Sequence, residues 1–310
     1  MLAVLGAVAM VTAAVLVRAA IDDDGGGGSG NDGEAVVVCA ADLIDACRAL
    51  GGGVEVRAQA AADTAAAVAD SSLGGDVDAW ITTTAWVEVV GSRAPGALGE
   101  SEALAVSPVV VATAPNRFEA VDGLCGAEDI WACLGARAGQ DWGELGDRSH
   151  PEWRELKVGL TDPDSAVGLS VLASASAGFF GNAAFAANEP TFAEFEGWLT
   201  NLAEPSSDGD PDPSRTLATR AGTYSAAGAV GAVADRFDGR GVRSIEPGTP
   251  VSTTVVIVGL DGGDGRPDAS EVRDALVDAG WSRASEEDLA PTLKPGVMAA
   301  LHTLWRDVTS

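Results

Sequence analysis

Five groups of residues have types or spacings that could do chemistry. Asp208, Asp210 and Asp212 alternate as the acidic residues of a calcium loop do. Pro213 stands where such a loop needs glycine, and no glutamate closes it at the twelfth place, so calcium is not expected. Asp261-Gly262-Gly263-Asp264-Gly265 reads as a chain of tight turns rather than a metal loop. Ser174-Ala175-Ser176-Ala177-Gly178 has part of a nucleophile elbow, but it lacks the leading glycine and lies in a helical stretch. The two histidines, His150 in a polar loop and His302 in the final helix, are expected at the surface. They are too few for a multi-histidine metal centre. Gly28-Ser29-Gly30-Asn31-Asp32-Gly33 spells a phosphate-binding fingerprint with no strand before it, an accident of low complexity. None of these patterns is complete, so the chain reads as a non-enzyme with no metal and no cofactor.

Cys39, Cys47, Cys125 and Cys133 form two pairs, each eight residues apart, and none lies in a C-x-x-C arrangement. Four cysteines allow three connectivities. The local one, Cys39–Cys47 and Cys125–Cys133, is the most economical, because Cys39 ends a strand and Cys47 lies on the helix packing back on it. Two structural disulfides suit a chain behind a membrane segment; four buried thiols are the alternative.

The 310 residues carry 19 Lys and Arg against 46 Asp and Glu, a net charge of −27. That balance excludes nucleic acid as a partner and disfavours docking on anionic lipid. Residues 1–21 contain an apolar run broken only by Arg18 and ended by Asp22-Asp23-Asp24. An uncleaved membrane anchor is expected there, with a signal peptide cleaved after Ala19 or Ala20 as the alternative. Residues 22–34 read as a flexible, acidic, Gly-rich linker. The globular part would then sit at the cell membrane on its extracytoplasmic side.

From residue 34 onward the pattern is α/β. Strands are expected over 34–39, 54–58, 76–83, 103–114, 156–160, 242–245 and 253–260, with a weaker one over 216–221. Helices are expected over 41–50, 63–71, 116–121, 166–180, 191–203, 225–236, 270–279 and 294–307. Residues 125–153 look irregular. Trp80 alternates with core neighbours, and Arg117 is expected to pair with an acidic neighbour.

Asp78-Ala79-Trp80 leading into Thr82-Thr83-Thr84 resembles the first-lobe strand and binding loop of the type II periplasmic, or extracellular solute-binding, proteins of bacteria. Ser107-Pro108-Val109-Val110-Val111-Ala112 resembles the first crossover of that class, and Ile245-Glu246-Pro247-Gly248-Thr249-Pro250-Val251 resembles the return. Between them, Val158-Gly159-Leu160-Thr161-Asp162-Pro163-Asp164-Ser165 with Gly168 is similar to its second-lobe strand, turn and helix. The resemblance implies a two-lobed α/β fold with two crossover strands. Lobe 1 would comprise 35–112 and 251–310, and lobe 2 would comprise 113–250, behind the N-terminal apolar helix.

The resemblance also implies a small-molecule ligand held between the lobes. Ligands of open α/β sheets sit beyond the carboxyl ends of the strands, where helix N-termini offer free N–H groups. Mapped on this sequence, the cleft would be lined by Ala40, Ala41 and Asp42, by Thr82, Thr83, Thr84 and Trp86, and by Asp162 and Ser165. Thr223 and Tyr224 would complete it. Relatives that bind oxyanions often place a serine after the first strand, where Ala40-Ala41 stands here. With Asp42, Asp162 and Asp164 close by, an anionic ligand is disfavoured and a polar or cationic one stays open. The partner implied is an ABC-type permease or a membrane signalling protein. A second reading keeps the fold but makes the domain a ligand-free envelope sensor or interaction module.

Overall fold

Runs of β-branched residues set the strands, and where each run is buried on both faces it lies inside the sheet. The computed structural model describes residues 34–186, 192–204, 210–220, 222–260, 266–290, 293–294 and 296–309. The segment expected over 1–21, all but Glu34 of the linker, Asp208 and 261–265 lie outside the described residues. Among the described residues no helix is long and apolar enough to cross a membrane.

β1 (Ala35–Ala40) is almost wholly buried, and a 3-10 turn over Ala41–Leu43 carries the chain into α1 (Ile44–Cys47). β2 (Val54–Gln59), α2 (Ala61–Ala69), β3 (Ala79–Thr83) and α3 (Thr84–Arg93) follow at α/β spacing. β4 (Leu98–Thr113) is the longest strand, and α4 (Phe118–Cys125) and α5 (Ile130–Arg137) come after it. Next are β5 (Val158–Leu160), α6 (Gly168–Phe180), α7 (Ala193–Ala203), α8 (Pro213–Thr219), β6 (Ala226–Val230), α9 (Gly231–Ala234) and β7 (Arg243–Ile245). The chain closes with β8 (Ser252–Leu260), α10 (Ser270–Asp278), β9 (Ser282–Arg283) and α11 (Val297–Thr309).

The strand order is β2-β1-β3-β8-β4-β6-β5, with β7 and β9 also pairing with β4. β1 runs parallel to β2 and β3, whereas β8 is antiparallel to β3 and β4. β4 belongs to two ladders. Its residues Leu98–Pro108 pair with β8, and Val109–Thr113 pair with β6. The exposed Pro108 lies at that change of partner, where a residue without an N–H is tolerated. The return begins where β7 pairs Ile245 with Val111, and Val251 accepts from the Val109 amide at 2.8 Å just before β8. The backbone thus passes between the two ladders twice, at the segments expected as crossovers.

Four element expectations are corrected. Thr82 and Thr83 end β3 and Thr84 opens α3, where a binding loop is expected, and 130–137 form α5 within the stretch expected to be irregular. Residues 226–230 are strand β6, where a helix was expected over 225–236; the Ala/Gly composition misleads because all five residues are buried in a ladder. Residues 213–219 are helix α8 rather than a strand, started by Pro213 and capped by Asp212, whose side chain accepts from the Arg215 amide at 2.9 Å.

The disulfides are Cys39–Cys47, with Cα atoms 6.4 Å apart, and Cys125–Cys133, at 5.5 Å. The first ties the end of β1 to α1 and the second joins α4 to α5. Residues Ala35–Ser310 pack as one compact unit, and the main apolar core runs without a break from Trp80 and Trp86 to Trp131 and Leu160. A smaller cluster gathers Val110, Leu217 and Tyr224.

Candidate functional site

The site is built where β5 ends. Residues 161–167 turn the chain from β5 into α6, and Gly168 opens the helix. A Cβ at Gly168 would collide with the Asp162 carbonyl oxygen, so only glycine lets the turn close this tightly. The Ser165 hydroxyl donates to that carbonyl at 2.7 Å and accepts from the Gly168 amide at 3.0 Å. Asp162 steadies the turn by accepting from the Asp164 amide at 3.0 Å.

The N–H groups that start α6 are taken up from across the sheet. Asp42, two residues beyond β1, accepts from Ala166 N at 3.1 Å through Oδ1 and from Val167 N at 3.2 Å through Oδ2. A carboxylate at a helix N-terminus is well placed electrostatically. Crowding by protein raises the Asp42 carboxyl above the usual aspartate range, against these two hydrogen bonds, which lower it. One side of the residue stays open to water, which tempers that rise.

The same turn is held at four further points. Thr83 donates to the Ala166 carbonyl at 2.8 Å, and the Trp86 indole donates to the Ser165 carbonyl at 2.8 Å. The Ala62 amide donates to the Asp164 carbonyl at 3.1 Å. His302, from α11, places Nε2 2.6 Å from Asp164 Oδ1 and meets Trp86 edge-on with ring centroids 4.9 Å apart. The His302 contact holds the Asp164 carboxyl below the usual aspartate range. His302 is 3% exposed, so its expected surface position is corrected. His150 does lie nearer the surface, beside Asp147 and stacked on Trp153.

Beside this clasp lies a cavity of about 370 Å³. Asp42, Leu43, Asp45 and Ala46 line one side of it, together with Ala275, Leu276, Ala279 and Trp281. Thr161, Val167, Asp212, Ser214, Val230 and Arg236 line the other. These two sides come from the two ladders that β4 joins. Among the described residues no group of three or more His, Cys, Asp or Glu side chains converges as a metal site.

Of the residues expected to line a cleft, Asp42 reaches the cavity. Ala41 is exposed in the turn after β1 and Ala40 is buried in the strand. Thr82, Thr83, Trp86 and the half-buried Thr84 sit in the packed half of the junction, with Asp162 and Ser165 in the turn they grip. Thr82 Oγ1 is buried without a hydrogen-bond partner. Thr223 is exposed, and Tyr224 is buried with its ring against Gly159, where a Cβ would stand 2.8 Å from it. Both precede β6, whereas the cavity meets the far end of that strand at Ala229 and Val230. Arg117 makes no ion pair among the described residues; it is buried, donates to Ser225 Oγ at 2.7 Å and lies over the Trp153 ring.

The cavity residues Asp212, Ser214, Arg236, Leu276 and Trp281 were not anticipated. Asp212 and Pro213 carry a legible helix-start signal, but no local pattern brings them beside Asp42.

No family model matches the sequence, and no curated protein matches it. The fold does match solved structures. Iron-bound HitA from Pseudomonas aeruginosa aligns over 88% of this chain and 98% of that one, with a TM-score of 0.56 and 14% identity. The ferric binding protein from Campylobacter jejuni aligns over 89% of this chain and 99% of that one, with a TM-score of 0.54 and 11% identity. Together with the doubly crossed β4 junction, these matches give the chain the fold of the type II periplasmic binding proteins.

Proposed function

We propose that this chain is an extracytoplasmic solute-binding protein that holds a small molecule in the cavity between its two ladders. The observation that carries the reading is the cavity itself, walled on one side by Asp42, Leu276 and Trp281 and on the other by Thr161, Ser214 and Arg236. Its size falls within the range that suits small ligands. In this reading 35–112 with 251–310 and 113–250 are two lobes, and the two passages near Pro108 and 246–251 are the hinge. Residues 1–21 tether the domain to the membrane or export it, and a permease of the ABC type or a membrane signalling protein receives the bound form. The role in this reading is binding rather than catalysis.

A second reading rests on the clasp. Asp42, Thr83 and Trp86 already occupy the groups of the 161–167 turn that a ligand would contact. A domain closed on itself in this way suits a ligand-free sensor or interaction module.

Melting curves of the full chain with ions, sugars, amino acids, organic acids and amines separate the two. A bound solute raises the melting temperature by mass action. Ala275→Trp, which fills the cavity, is expected to abolish that rise while the free protein melts nearly unchanged. Silence across the whole panel would overturn the first reading and favour the second.

A further inference from the structure

The polar groups on the cavity wall fall into two kinds, those already engaged and those with capacity left. Thr161 has spent its donor on the Gly228 carbonyl at 3.1 Å and can only accept from a ligand. Asp45 lies at the outer edge and pairs with Arg48 at 2.6 Å, with 92% of its side chain exposed. Arg236 is exposed and reaches across to the Ala279 carbonyl at 3.4 Å.

Asp42, Asp212 and Ser214 differ. Asp42 gives one lone pair of each oxygen to the α6 amides, and Asp212 gives one oxygen to the Arg215 amide. A carboxylate offers about four acceptor positions, so both keep acceptor capacity. Ser214 is wholly buried and its hydroxyl has no hydrogen-bond partner. The wall therefore holds two carboxylates, the exposed Asp42 and the half-buried Asp212, and a buried unpartnered hydroxyl, all able to accept, beside the one exposed guanidinium of Arg236. The remaining lining, from Leu43, Val167, Val230, Val233, Leu276 and Trp281, is apolar.

Resting on the solute-binding reading, we infer that the ligand is a primary organic amine, bound as its ammonium ion by Asp42, Asp212 and Ser214 with its hydrocarbon body against Leu276 and Trp281. Three ammonium protons match three acceptors of this kind. Crowding by protein lifts both carboxyls above the usual aspartate range, for Asp212 against the opposing pull of Arg215 and Arg236 and for Asp42 with one side open to water. An ammonium ion placed between them would reverse that rise. A carboxylate ligand would instead meet two like charges, with only the edge arginine to attract it.

The test uses three probes of one shape: n-pentylamine, 1-pentanol and pentanoate, titrated calorimetrically into the full chain at pH 7.5. Pentylamine is expected to bind at least about tenfold more tightly than pentanol, and pentanoate to give no heat of binding. Asp212→Asn retains a good helix cap, so the fold is expected to survive, while pentylamine affinity falls about tenfold or more. Pentanoate binding more tightly than the amine would overturn the inference and leave solute binding intact, and so would an Asp212→Asn protein with unchanged amine affinity. Absence of heat with pentylamine also overturns it. The solute-binding reading itself falls only if the wider panel is silent as well.

Discussion

Asp42 Oδ2 accepts from the Val167 amide at 3.2 Å although 125 residues separate them in sequence. The bond joins the turn after β1 to the start of α6, so a residue held by the first ladder caps a helix that belongs to the second. Its partner bond to Ala166 makes the contact two-pronged. The arrangement links local sequence, packing and function. Ala40-Ala41 is too small to fill the position beyond β1, and the next residue reaches over to fill it with a carboxylate.

Removing that carboxylate leaves two amide groups at a helix start without partners. Asp42→Ala is expected to lower stability by about 1–3 kcal/mol, the range for losing hydrogen bonds to a charged group. In a chain of this size that is a drop of several degrees in melting temperature. The vacated N-terminus of α6 then accepts an anion. Sulfate at millimolar concentration should raise the melting temperature of Asp42→Ala more than that of the parent protein. Equal response of the two proteins to sulfate would show that Asp42 does not occupy an anion position.

The Asp164–His302 contact predicts an acid limb in the stability curve. The native Asp164 carboxyl titrates below its ordinary value of 3.8, chiefly through the His302 hydrogen bond. A lowered native value means that the ionised form favours the folded state. Its contribution is therefore complete above pH 3.8 and is lost as the pH falls through the lower native value. Asp164→Asn should be less stable than the parent in urea titrations at pH 6, and the gap should narrow as the pH falls below 3.8. Parallel curves across that span would mean the pair contributes nothing.

The strands around Asp42 were legible because Val36-Val37-Val38 and 252–260 are long β-branched runs buried on both faces. The two crossovers were legible for the same reason, with Pro108 marking the change of ladder. β6 was not, because Ala226-Ala227-Gly228-Ala229-Val230 has a helix-like composition and only its ladder partners make it a strand. Gly228 is needed there because a Cβ would press on Val171 and Trp131 side chains. The cavity residues divide along the same line. Asp42 follows a strand and could be placed by rule, whereas Ser214, Arg236 and Trp281 meet it only through tertiary packing.

The two disulfides should differ in resistance to reductant. Cys39 and Cys47 are wholly buried, while Cys125 and Cys133 are half-buried. Mild treatment with a phosphine should open Cys125–Cys133 first, as read by alkylation and peptide mass spectrometry. Each short loop stabilises the fold by roughly 2–3 kcal/mol in the chain-entropy account, so complete reduction should lower the melting temperature substantially. Simultaneous opening of both bonds under native conditions would show that Cys39–Cys47 is not shielded by the core.

Glu88 predicts a second limb, of opposite sign. It lies on α3 two residues beyond Trp86, half-buried, with Oε2 buried and without a hydrogen-bond partner. Burial pushes its carboxyl from 4.5 up to about 7. In the unfolded chain the group ionises near 4.5, whereas in the folded chain it keeps its proton to about 7. The protonated form favours the folded state, so stability declines as the pH rises from 4.5 and levels off above 7. The full shift is an upper bound because the residue is partly exposed to water. Glu88→Gln, neutral at every pH, should therefore be more stable than the parent by about 1–2 kcal/mol at pH 8 and nearly equal to it at pH 4. Urea titrations of both proteins at the two pH values measure the difference, and an equal gap at pH 4 and pH 8 would show that Glu88 ionises normally in the folded protein.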